Sequence, residues 1–165
     1  MDFVNTFSGA ITTDIIIIFS VFFLLFFFSV VYGKSNSASL LISLYIGILI
    51  FLMFPYLEDT TLLKSSESQV TISHVSLFLI IVSLTYSIVR RMIFLEYSRN
   101  KIMKYIESGI LSASSSVLFF SFLYHTIPIA TLYNFGPSID NLFSSQYFFF
   151  WLVAPLIGLF IISKR

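Results

Sequence analysis

Ile88–Ser108, IVRRMIFLEYSRNKIMKYIES, carries five of the nine basic residues of the chain, Arg90, Arg91, Arg99, Lys101 and Lys104, and lies between long apolar runs. Basic residues between two membrane spans resist translocation, so this segment marks the cytoplasmic side of a bilayer. With that side assigned, the orientation of every other span follows. Composition agrees. Hydrophobic residues make up 58% of the 165, charged residues only 10%, and mean hydropathy is +0.97. Soluble domains carry roughly a quarter charged residues, so the sequence predicts an integral membrane protein.

Working outward, five apolar segments are expected to form an all-α, polytopic membrane helix bundle, a single domain over residues 1–165. The spans fall at about 15–32, 38–57, 72–89, 105–127 and 147–163. The first is roughly 18 residues, or about 27 Å of helix, just enough for a hydrocarbon core. Apolar on all faces and rich in Phe, it is expected at the edge of the bundle. Asp14, with Thr12 and Thr13, stands where a helix start would be capped. The last span is about 17 residues, short for a bilayer, and contains Pro155.

Charge follows position. With the N-terminus outside and the C-terminus cytoplasmic, Lys34, the basic cluster, Lys164 and Arg165 fall inside, and only Lys64 lies outside. Asp2, Asp14, Glu58, Asp59, Glu67 and Asp140 then lie outside. Every loop agrees in sign with the positive-inside rule. The residues before the first span contain no Lys or Arg, so no cleavable signal sequence is expected.

Small residues recur at helical spacing. Ser39, Ser43 and Gly47 form one stripe in the second span; Ser83 and Ser87 are four apart in the third. Ser108, Ser112 and Ser116 form a stripe in the fourth, extended by Gly109. Such stripes permit close helix approach, and Ser hydroxyls bond back to their own helix carbonyls. The other reading is a polar lining for a water-filled path. Unused close-packing faces also predict a homo-oligomer.

The basic patch of Arg90, Arg91, Arg99, Lys101 and Lys104 attracts anionic lipid, or docks a cytoplasmic or membrane protein partner. Arg90 and Arg91 are expected to snorkel from a third helix that continues through Leu95. Glu107, three residues after Lys104, is expected to pair with it at the interface. Ser138–Gln146 is read as a short interfacial helix turning Ile139, Leu142 and Phe143 to lipid, or as a surface loop.

Little chemistry is indicated. With no Cys there is no disulfide and no thiol nucleophile. His74 and His125 lack the neighbours a metal needs, so no metal or cofactor is expected. The Gly33-Lys34-Ser35 tripeptide lacks the earlier Gly of a phosphate loop, that position being Phe28. No base, nucleophile and orienting group can be assembled, so no enzyme is expected; nor is nucleic acid a partner.

Asp14 before the Ile-rich first span, the Gly33-Lys34 turn, the basic loop, and the opening Glu107-Ser108-Gly109 followed by Ser112 together resemble the colicin V production protein family. The resemblance covers roughly residues 14–128. Family members tend to have Arg-Gly and several glycines where this chain has Gly-Lys and serines, and the span from Tyr147 is extra. The resemblance implies a small bacterial inner-membrane protein of about four spans, with a role in toxin production or export and in envelope homeostasis through partners. It implies no catalytic residue. A subunit of a small channel or transporter with a serine-lined path is the alternative.

Overall fold

The computed structural model describes residues 2–54, 67–93, 101–126, 135–144 and 146–163. Among them are six α-helices: α1 (Asp2–Tyr32), α2 (Lys34–Leu52), α3 (Glu67–Val89), α4 (Lys101–Thr126), α5 (Pro137–Leu142) and α6 (Phe148–Ser163). Thr13–Tyr32 of α1, all of α2, Gln69–Val89 and Ile102–His125 are each long and apolar enough to cross a membrane. The apolar α6 has 16 residues, about 24 Å, and is shorter than a full hydrocarbon core. The chain is a multi-pass membrane protein with an all-α architecture.

The central helix is α4, which packs on α1, α2 and α6, while α3 packs mainly on α2. Burial follows this order: 67% of the membrane window of α4 is buried, against 6% of that of α1. The edge position of α1 follows from its composition, since Phe, Ile and Leu on every face have no reason to leave lipid.

Close packing at the seams comes from small residues. A Cβ built on Gly47 would stand 2.7 Å from Val82 Cγ2, so only a bare Cα lets α3 approach α2 this closely. Thr85 adds a polar contact there, its Oγ1 lying 3.0 Å from the Ile81 and Val82 carbonyls and 3.3 Å from that of Ser43. Beyond Gly47 an aromatic cluster joins three helices: Phe78 and Phe122 stack with centroids 4.1 Å apart, and Phe51 meets both edge-on. Edge-on and offset rings are the favoured arrangements of aromatic quadrupoles.

Several expectations about boundaries are corrected. α1 begins at Asp2 and runs through Asp14, so Asp14 does not cap its start. α2 begins at Lys34, four residues earlier than expected, and stops at Leu52; Pro55 lies outside the described residues. α3 starts at Glu67, and it ends at Val89 instead of continuing to Leu95: Arg90–Met92 form a turn, with Met92 N–H donating to Val89 O at 2.9 Å. α5 occupies only Pro137–Leu142. Leu142 is exposed, as expected, but Phe143 is buried, held by Tyr124, Phe120 and Trp151.

Candidate functional site

Gly33 sets the site up. Its φ of 96°, open to glycine but strained for other residues, turns the chain from α1 into α2 in a single residue. Gly33 N–H donates to Ser29 O, and Gly33 O accepts from Ser37 N–H, so the turn leaves few backbone groups unpaired. So abrupt a hairpin makes Lys34 the first residue of α2 and puts its side chain inside the bundle, with 4% of it exposed.

An ammonium at a helix N-terminus meets the positive end of the dipole, an unfavourable position by itself. Two neighbours offset it. Lys34 Nζ donates to the carbonyl of Ile162 at 3.1 Å, one of the last-turn carbonyls of α6 that lack an intrahelical donor. It also lies 3.6 Å from Oε1 of Glu107, whose side chain is 3% exposed. Lys34 therefore joins α2, α4 and the end of α6 through one buried cation. Glu107 pairs with Lys34, a partner from another helix that spacing along α4 does not predict, because Glu107 shares the buried face of α4 with Ser108, Leu111 and Ser112.

The pair is under-satisfied. At 3.6 Å the contact is ionic and too long for a hydrogen bond, and neither oxygen of Glu107 accepts one among the described residues. A buried carboxylate in this condition retains much of its desolvation cost. Its free lone pairs give it the chemistry of a proton or cation acceptor.

The small-residue stripes come to the same interior. Ser39, Ser43, Gly47, Ser108, Ser112 and Ser116 are buried, and Gly109 is half-buried. Ser39, Ser43, Ser112 and Ser116 each donate to the carbonyl four residues earlier, over 2.6–2.9 Å. Ser83 and Ser87 lie elsewhere, on the exposed face of α3, with Ser87 bonded to Ser83 O. Thr85, between them, faces α2, as Val82 does.

Charges are sorted by end. Ser35 Oγ donates to Ile93 O, tying the start of α2 to the turn after α3; with the Lys34 contacts, this gathers Lys34, Arg90, Arg91, Lys104 and the end of α6 at one end of the bundle. Arg90 and Arg91 are exposed and Lys104 is half-buried. Arg99 lies outside the described residues, and Lys101 opens α4. At the other end, Asp14, 2% exposed, accepts the Gly136 N–H at 2.7 Å and moors the segment around α5 to α1. Tyr124 donates to Asp140 at 3.2 Å, and Trp151 Nε1–H to Leu142 O at 2.7 Å.

The histidines are packing residues here. His125 stacks on Phe148 at 4.0 Å with Nδ1 3.0 Å from Ser121 O, and His74 meets the edge of Phe51. Among the described residues no three His, Asp or Glu converge as a metal site would require. The sequence reading missed Lys34 as an interior residue. Its one local signal is position: a Lys placed directly after the glycine that ends an apolar span and directly before a helix of small and apolar residues.

Comparison with known proteins gives no match among protein-family models, curated proteins or solved structures.

Proposed function

We propose that this chain is a non-enzymatic bacterial inner-membrane protein that serves envelope homeostasis or toxin production and export by docking partner proteins at its basic end. The N-terminus is outside and the C-terminus cytoplasmic in this reading, which follows the positive-inside rule. The carrying observation is the state of the serines. Ser39, Ser43, Ser112 and Ser116 are shut between helices, with hydroxyls spent on their own carbonyls, so the stripes act as contact surfaces and the work of the molecule falls to its exposed ends. The resemblance to the colicin V production family supports the same role.

The test is affinity purification from gently solubilised membranes, comparing the native chain with one in which Arg99, Lys101 and Lys104 are changed to Gln. Topology and abundance are verified first. Loss of a specific partner in the variant is expected, and an unchanged set of co-purifying proteins would overturn the docking role.

One observation favours a second reading, a channel or transporter subunit: the buried Glu107 with its unbonded oxygens. In that case reconstituted ion flux falls in Glu107→Gln and in the Ser112→Ala, Ser116→Ala double variant. Flux that is unaltered in both, with assembly intact, removes it.

A further inference from the structure

We propose that the cleft between α1 and α3 is a binding site for one anionic phospholipid, its headgroup phosphate held by Arg90 and Arg91 and one acyl chain laid along an apolar groove deeper in the bundle. This needs only that the chain lies in a bilayer; it is independent of partner docking.

Helix order creates the cleft. α1 packs mainly on α4 and α3 mainly on α2, which leaves a groove between the two outer helices, over a floor made by α2 and α4, that ends where Phe28 meets Tyr86. The groove between them has a volume of about 290 Å³ and is lined by apolar side chains, including Val21 and Leu24 of α1, Leu40 and Leu44 of α2, and Leu79 and Val82 of α3. Towards the basic end, Tyr86, Ser87, Arg90 and Arg91, all from α3 and the turn after it, line a second, open hollow of about 530 Å³. Both arginines are exposed, and among the described residues no carboxylate pairs with either.

The two hollows are in register. Leu79, Val82, Tyr86 and Arg90 follow one another at intervals of three, four and four, so one stripe of α3 runs from the groove to the basic hollow. Between them Phe28 of α1 meets Tyr86 of α3 edge-on, with centroids 6.2 Å apart, so the helices touch there and the acyl chain passes over this aromatic pair to reach the groove. From Arg90 the helix rise puts Val82 about 12 Å and Leu79 about 16 Å deeper, which is the depth of one leaflet of a hydrocarbon core about 30 Å thick. A phospholipid has the same order of parts: an anion at the headgroup level, then a chain of methylenes reaching the mid-plane. Charge at one end and an apolar lining at the other thus select a lipid over a soluble phosphate, which has nothing for the groove.

The test is native mass spectrometry of the full chain in detergent, titrated with palmitoyl-oleoyl phosphatidylglycerol or with the phosphatidylcholine of the same chains. Phosphatidylglycerol is expected to bind at one retained site and phosphatidylcholine much more weakly. Arg90→Gln with Arg91→Gln should weaken phosphatidylglycerol about thirtyfold, from the free energy of two cations near an anionic headgroup. Leu79→Trp, or Leu24→Trp should the first fail to assemble, fills the groove from an exposed position and should weaken it at least as clearly. Lys101→Gln with Lys104→Gln removes the same charge from the wider basic patch and should weaken phosphatidylglycerol clearly less than the arginine pair does.

Equal binding of the two lipids, or equal weakening by the Lys101, Lys104 control, would overturn the site in favour of general electrostatic attraction. Unchanged binding in both groove variants would overturn the acyl half. A dimer that excludes lipid and dissociates in Leu79→Trp would assign the groove to a second copy instead.

Discussion

Lys34 and Glu107 form a charge pair that neither helix needs for its own folding. Removing one member leaves the other buried without a partner, which costs about 3–5 kcal/mol in comparable interiors, whereas replacing both with apolar groups is often neutral or better. Lys34→Ala is therefore expected to lower unfolding stability in detergent by that amount, and Lys34→Met with Glu107→Leu to recover most of it. If the double variant is as unstable as the single, the ion pair itself stabilises the bundle and this account of it fails. None of this was legible from local sequence. Glu107 has Lys104 at an ideal helical spacing, and nothing local shows that Lys34, from a turn far upstream, takes its place. Asp14 is a similar case: beside two threonines it resembles a cap, yet its partner, the Gly136 amide, lies 122 residues away.

At the scale of helices, the α2–α3 seam depends on Gly47. A methyl there collides with Val82 Cγ2, and overpacking of this kind costs about 1–3 kcal/mol. Gly47→Ala should lose that much stability, measured by chemical unfolding in detergent, and Val82→Ala added to it should restore a substantial part. Ser112→Ala and Ser116→Ala should each change stability by less than about 1 kcal/mol, because each hydroxyl serves only its own helix. Hydropathy places the spans well, since a membrane core demands length and apolarity and little else. It cannot orient them: on a helix that is apolar all round, the packed and lipid-facing sides use the same residues. Ser83 and Ser87 have the same four-residue spacing as Ser39 and Ser43, yet they face outward while Thr85 faces in.

For the whole molecule, the helix contacts bring most of the described basic side chains to one end and Asp14 and Asp140 to the other, the segregation expected from the loops. Orientation in the bilayer is open to direct measurement. The chain has no Cys, so single cysteines report without background. Asn141→Cys, exposed on α5, should react with a membrane-impermeant maleimide on intact spheroplasts, and Met92→Cys, 77% exposed after α3, only after permeabilisation. The opposite pattern would invert the topology and place the basic end outside.

The contact between Lys34 and Ile162 spans 128 residues, and this has a consequence for biogenesis. Lys34 enters the membrane with the first helical hairpin, long before α4 brings Glu107 or α6 brings the Ile162 carbonyl. Until α4 is inserted its ammonium has neither partner and is held near the aqueous boundary by its own solvation. It can turn inward once α4 brings Glu107 and gains its second contact when α6 is inserted, so this end of the bundle closes only after α6 has joined, and a chain lacking α6 would leave a charged, open end for membrane proteases to recognise.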